Sequence, residues 1–307
     1  MDNFTFEIGS DGVAVVTFDV PGKSMNTISH AVQRELGELA DLLGTDDRIV
    51  GAVLRSGKLG GFCAGADLRE LAADMDVWRA ATSQEELRAG VAEAGDFSRQ
   101  IRALETCGKP LVAVVHGVVL GGGLELALGC HWRIAIDTPS LRLGLPEATL
   151  DLMPGAGATQ RLIRLAGLVP AVPFLVDGAP IALSDALALG IIDVAAQEGE
   201  AIDRAREWIL ANRSAQAPWD AKGFRMPDGG PHTATGYGMF GPAIAARRGA
   251  GGEAEAAANI FKAMYEGSQV PIDAALRIES RYFFNTARSP AAARQVQAFF
   301  AARKAAV

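Results

Sequence analysis

The chain has 307 residues, 49% of them hydrophobic and 21% charged, enough to bury a sizeable core. Its formal net charge is -7 and its Lys and Arg are dispersed, which excludes nucleic acid and an anionic membrane surface as expected partners. The start MDNFTFEIGSDG lacks a basic then apolar leader, and no apolar run approaches the ~18 residues of a spanning helix, so a cytoplasmic location is expected.

In chain order, TFEIG and GVAVVTFDV flank the turn SDG and predict a hairpin. Ile28, Val32, Leu36, Leu39 and Leu43 then fall on one face of a helix. IVGAVLRSG reads as a buried strand, KLGGFCAGAD as a loop, and a polar helical stretch includes residues 84–106. KPLVAVVHG and HWRIAI are further strands, LRLGLPE a short edge or turn, GAGATQRLIRLAG and ALSDALALG helices, and IIDVA a brief strand. This recurring order predicts stacked strand–strand–helix units. After Asn212 the texture changes. Residues 213–238 are rich in Gly, Pro and aromatics without periodicity, and three helical segments follow, beginning at GEAEAAANIF, VPIDAALRIE and SPAAARQVQA. Ser289 and Pro290 are placed to cap and open the last of them.

Cys63, Cys107 and Cys130 form no CxxC or Cys/His spacing, so they predict small buried residues in a reducing compartment and no metal site. Neither a dinucleotide fingerprint nor a phosphate-binding GxxxxGK[ST] loop is present. Chemistry is expected instead on loops at FCAGADL, LGGGLEL, LPE and MPGAGATQ. Three successive glycines, Gly121 to Gly123, allow a sharp turn whose backbone N–H groups stay accessible, and the helix that follows carries a single acid, Glu125. Glu125 and Glu147 both lie beside apolar segments, where desolvation moves a carboxyl toward the range useful for proton transfer. Either acid alone is equally well explained as a helix-start residue facing the dipole.

Taken together and in order, FCAGADL, HGVVLGGGLELALGCHWRIA, GLPEATLDLMPGAGATQRL and ALSDALALGIIDVA resemble the enoyl-CoA hydratase/isomerase (crotonase) family over residues 5–215. PWDAKGFRMPDGGPHTATGYGMF and YEGSQVPIDAALRIESRYF resemble the segment after the N-terminal hydratase part of multifunctional fatty-acid oxidation enzymes. The resemblance implies an α/β crotonase-like (ClpP/crotonase) spiral of repeated ββα units, with a catalytic core over 1–215 and a C-terminal helical subdomain over 216–307. It further implies an oxyanion hole at the N–H groups of Ala66 and Gly122, and catalysis by Glu125 and Glu147. Ala64, Gly65, Asp67, Leu68 and Gly155 would contact substrate, and Lys23 or Arg69 would reach phosphates, although both are better explained as solvated surface.

The implied activity is addition of water across C2=C3 of a trans-2-enoyl-CoA in β-oxidation, or alternatively Δ3-Δ2 isomerisation or another CoA-thioester reaction. A protein that only binds acyl-CoA is the non-enzymatic alternative. Coenzyme A enters as part of the substrate, so no separate cofactor is implied. The expected assemblies are a homotrimer, a dimer of trimers, or a complex with other β-oxidation enzymes. Ala158 and His131 depart from common family residues, and the chain stops at FFAARKAAV before any dehydrogenase fingerprint. His116 is expected to pin a strand to a loop rather than to act as a base.

Overall fold

The computed structural model describes residues 1–248 and 255–305. Its first half runs β1 (Phe4–Ile8), β2 (Val13–Phe18), α1 (His30–Thr45), β3 (Gly51–Ser56), β4 (Gly61–Cys63), α2 (Leu68–Ala80), α3 (Gln84–Ala94) and α4 (Asp96–Glu105). Then come β5 (Leu111–Val115), β6 (Val118–Leu120), α5 (Gly122–Leu128), β7 (Trp132–Ile136), β8 (Arg142–Gly144), a 3-10 turn (Pro146–Leu150) and α6 (Ala158–Ala166). The remainder is α7 (Leu168–Val176), α8 (Leu183–Ala188), β9 (Val194–Ala196), α9 (Ala201–Ala211), α10 (Ala234–Arg248), α11 (Glu255–Gly267), α12 (Ile272–Ala287) and α13 (Pro290–Ala305).

The expected hairpin is present, with β1 antiparallel to β2 and Phe4 opposite Phe18. Asp11 fixes its turn by accepting the Val13 N–H at 3.0 Å. Ser29 caps α1, whose buried face is Val32, Leu36, Leu39, Ala40 and Leu43. Ile28 matches that periodicity but precedes the cap and instead bridges Ala66. The polar stretch is broken at Gly95 into α3, opened by a Ser83/Glu86 capping box, and α4. Ser289 accepts the Ala292 N–H at 3.1 Å, the expected cap of α13.

Several short elements escape the periodicity. Strands β4 and β6 have three residues each, too few for an alternating pattern. Helix α10 begins inside the stretch read as irregular, and α7 forms in spite of Pro173. The helix read from Gly252 is observed from Glu255, its first three positions lying outside the described residues.

Two sheets organise the strands. One has the order β1-β2-β3-β5-β7-β9 and the other β4-β6-β8. Apart from β1, all pairings are parallel. In each of the pairs β3/β4, β5/β6 and β7/β8 the first strand joins the larger sheet and the second the smaller, and helix follows along the chain. That is the repeated strand–strand–helix spiral expected from the sequence.

The chain divides into two compact units that are discontinuous in sequence. Unit 1 is Met1–Ala66, Arg99–Gly144 and Pro180–Phe224, and unit 2 is Asp67–Ser98, Leu145–Ala179 and Arg225–Val307. The expected division at 215/216 marks a change of sequence texture, whereas unit 1 continues to Phe224 and unit 2 gathers three separated segments. Unit 1 has a core of Val13, Val53, Val112, Val114, Ile134 and Ile136 under Ala201, Ala205 and Ile209 of α9. Each such branched side chain contributes roughly 1.5–3 kcal/mol on burial. In unit 2, Met75, Trp78, Leu152, Phe284, Ala287 and Val296 form the corresponding cluster. No helix among the described residues is long and apolar enough to cross a membrane.

Candidate active site

In unit 1 the smaller sheet brings two of the sequence loops together. β4 and β6 run parallel with Gly61 opposite Val118 and Cys63 opposite Val119. The segments that follow, Ala64–Ala66 and Gly121–Gly122, therefore leave from the same ends of neighbouring strands. Gly121 has φ 52° and ψ -127°, a conformation closed to residues with a Cβ. It turns the chain out of β6 and caps α5, accepting the N–H of Leu124 at 2.8 Å and of Glu125 at 3.0 Å. Its own N–H is held by Gly144 of β8 at 2.9 Å. Gly65 has φ +98°, and a Cβ placed there would stand 3.2 Å from the Leu120 carbonyl and 3.6 Å from the Gly122 nitrogen.

Gly122 opens α5, where helix geometry leaves its N–H without an intrahelical acceptor. Ala66 is exposed and Gly122 buried. Glu125 is only 3% exposed, within the first turn of a helix whose every residue is buried. The expected acid thus lies in the same first turn of α5 as the expected backbone donor, three residues along.

The loop behind this pair is laced by a residue that sequence reasoning missed. Asn26 is fully buried and donates to the carbonyls of Phe18 (2.8 Å) and Phe62 (3.1 Å) and to Ser56 Oγ (3.0 Å). Its side-chain oxygen accepts the Val20 N–H at 2.9 Å, and its backbone carbonyl accepts the Ala64 N–H at 2.9 Å. Gly65 completes the seam by accepting the Ile28 N–H at 2.8 Å. An isolated Asn in SMNT carries no spacing signal; only its partners reveal it. His116 is a pin of the same kind, with Nε2 2.8 Å from the Lys58 carbonyl.

Unit 2 holds the other expected residues. Glu147 lies in the 3-10 turn, half-buried, with Oε2 shielded from solvent. Its carbonyl accepts the Leu152 N–H at 3.1 Å, and Asp151 closes the turn at φ 52°. Gly155 is half-buried in the loop that leads to α6. Beyond it, the fully buried Glu279 of α12 accepts the N–H of Gly157, the N–H of Thr159 at 2.9 Å and the Thr159 hydroxyl. That second missed residue is more than a hundred positions away in sequence.

Asp67, expected to touch substrate, is the N-cap of α2 and accepts the Arg69 N–H at 3.1 Å; Leu68 is half-buried at the start of that helix. Ala64 is exposed, as is Arg69, and the Lys23 ammonium donates to Thr27 Oγ1 at 3.0 Å. Cys63 and Cys130 are buried as expected, while Cys107 is half-buried and all three are free thiols. Burial pushes the Cys63 thiol up to about 12, which makes it inert packing behind the loops. His131 accepts the Leu111 N–H on Nδ1 at 3.0 Å, and burial lowers its pKa. Among the described residues no group of three His, Cys, Asp or Glu side chains is arranged to hold a metal.

The family model for enoyl-CoA hydratase/isomerase matches residues 9–221. The chain belongs to the enoyl-CoA hydratase/isomerase family. It is 36% identical over 303 residues to a fatty acid oxidation complex subunit alpha from Idiomarina loihiensis, a match covering 97% of this chain and 41% of that protein. The chain thus spans less than half the length of the curated relatives it matches. It also resembles the crystal structure of an enoyl-CoA hydratase from Bacillus anthracis, with 25% identity, TM-score 0.56, and coverage of 92% of this chain and 89% of that one. A hydratase structure from Bacillus halodurans superposes with TM-score 0.64 at 20% identity, covering 96% of this chain and 99% of that one, and supports the shared fold. The crotonase-like spiral expected from the motif order is therefore the fold of this family member.

Proposed function

We propose that this chain is a 2-enoyl-CoA hydratase of fatty-acid β-oxidation, adding water across C2=C3 of a trans-2-enoyl-CoA to give a 3-hydroxyacyl-CoA. The observation that carries the reading is the juxtaposition in unit 1 of the Ala64–Ala66 and Gly121–Gly122 loops with the buried Glu125. In this mechanism the N–H groups of Ala66 and Gly122 donate to the thioester oxygen as it gains charge, a contribution whose loss lowers rates by about 10²–10³. Glu125 takes a proton from water as its oxygen bonds to C3. Glu147, protonated, gives its proton to C2 and collapses the enolate, so that one water is consumed and the two acids exchange roles on return. Ala64, Gly65, Asp67 and Leu68 line the thioester side of this proposal, and Gly155 supports the Glu147 side.

Isomerisation of a Δ3 to a Δ2 double bond is the second reading, because it uses the same oxyanion hole with an acid at position 147 alone. The burial of Glu125 within one turn of Gly122 favours hydration. The acyl-CoA thioester is the partner in either reading, and further copies of the chain or other β-oxidation enzymes are the candidates for assembly. In this proposal residues 1–215 form the catalytic core and 216–307 a helical subdomain.

The test is the loss of conjugated-thioester absorbance when purified protein meets crotonyl-CoA and a ten-carbon 2-enoyl-CoA. Rapid loss in the wild type, abolished by Glu125→Gln and by Glu147→Gln, is expected. Wild-type rates in both variants would overturn the assignment.

A further inference from the structure

Residues 155–159, downstream of Glu147, are held by one distant helix, α12. Leu152 belongs to the buried cluster of unit 2 with Phe284 of α12, Trp78 of α2 and Val296 of α13, and Leu150 and Phe283 pack against that cluster. The Phe283 ring lies against Gly155 so closely that a Cβ there would come within 2.6 Å of its Cγ. Two and four residues further on, Gly157 and Thr159 donate to Glu279, one turn back along α12. α12 therefore touches this segment at Gly155, Gly157 and Thr159, beginning eight residues from Glu147. The turn itself is tied to the same stretch through the Leu152 N–H to the Glu147 carbonyl, at 3.1 Å.

Glu279 is fully buried, and a carboxylate is a poor choice for stability alone, since its desolvation costs several kcal/mol. What a carboxylate offers and an apolar residue does not is two oxygens that fix where N–H and O–H donors point. We propose that Glu279 is a positioning residue: by holding the N–H groups of Gly157 and Thr159 it sets the path of the 147–157 segment and hence the placement of the Glu147 carboxyl. The inference rests on the proposed role of Glu147 but adds a residue from the C-terminal helices to its support. Displacing a reacting group by about 1 Å lowers a rate by roughly 10²-fold, which sets the scale expected.

The experiment compares wild type, Glu279→Gln, Glu147→Gln, the double variant, and Arg281→Gln as a control on the exposed face of α12. Glu279→Gln keeps the shape but turns an amide NH₂ toward backbone donors. Hydrogen exchange of amides in 153–160 is expected to quicken by about 10-fold or more in Glu279→Gln and to stay unchanged in Arg281→Gln. Hydration kcat is expected to fall about 10- to 100-fold with KM within about 3-fold, and Glu279→Gln is expected to add little to Glu147→Gln. An unchanged exchange rate overturns the proposal, as does a kcat within 2-fold of wild type, or a full additional loss in the double variant. If Glu279→Gln does not fold, Glu279→Asp, which keeps the charge, is read by the same exchange and kcat criteria. Absence of turnover in wild type contradicts the hydratase reading, while the exchange arm still decides whether Glu279 holds the segment.

Discussion

Two regions carry the family's motifs, and they are built by different means. In unit 1 the FCAGA and LGGGLEL loops are placed by the main chain: parallel strand pairing, glycine conformations and the start of α5. In unit 2 the GAGATQ segment is held by side chains of α12, Glu279 and Phe283 above all, while the LPE turn before it packs on α7 and α13. A backbone-built loop is specified locally and leaves a local trace in the sequence. A loop held from a helix more than a hundred residues away leaves none.

The largest effect that would break the unit 1 side of this contrast is expected at Gly121. With φ 52° and ψ -127°, Gly121→Ala should strain the turn by about 1–3 kcal/mol and lower hydration by about 10²–10³, with little change in KM. Steady-state kinetics on 2-enoyl-CoA checks it; a kcat near wild type would mean that the turn does not aim the Gly122 N–H.

Asn26 comes next. Asn26→Leu removes hydrogen bonds to Phe18, Val20, Ser56 and Phe62 in a fully buried place, and should lower unfolding free energy by about 1–3 kcal/mol for each main-chain group left without a partner. Urea denaturation reads this directly, and an unchanged midpoint would show that the loop needs no such anchor.

The smallest effect is chemical. Because burial pushes the Cys63 thiol up to about 12, its thiolate is present at only about one part in 10⁴ at pH 8. Alkylation of the folded protein at that pH should spare Cys63 and modify it only after denaturation. Rapid modification of Cys63 in the native state would mean that the loops above it open readily.

How much of this was legible follows the same contrast. The hairpin, the α1 face, the cap at Ser289 and the central strands show in hydrophobic spacing because each buries one face of its own segment. The spiral was legible as a recurring order of elements. Strands β4 and β6 were not, since three residues cannot display an alternation and their pairing is purely tertiary. Gly121, Gly122 and Glu125 stood out because glycines before a helix are conspicuous. Asp67 also caps α2, a local use that a motif does not display. Asn26 and Glu279 were invisible because a polar residue is marked as buried only by partners distant in the chain.

The most direct test of the central claim sets hydration of 2-enoyl-CoA beside isomerisation of 3-enoyl-CoA in wild type, Glu125→Gln and Glu147→Gln. Loss of general acid or base catalysis at each position should lower hydration by about 10²–10⁴. Glu147→Gln should lose both reactions, and Glu125→Gln should lose hydration far more than any isomerisation the wild type shows. Hydration at the wild-type rate in Glu125→Gln would contradict the hydratase assignment and leave the buried Glu125 without a part in the chemistry.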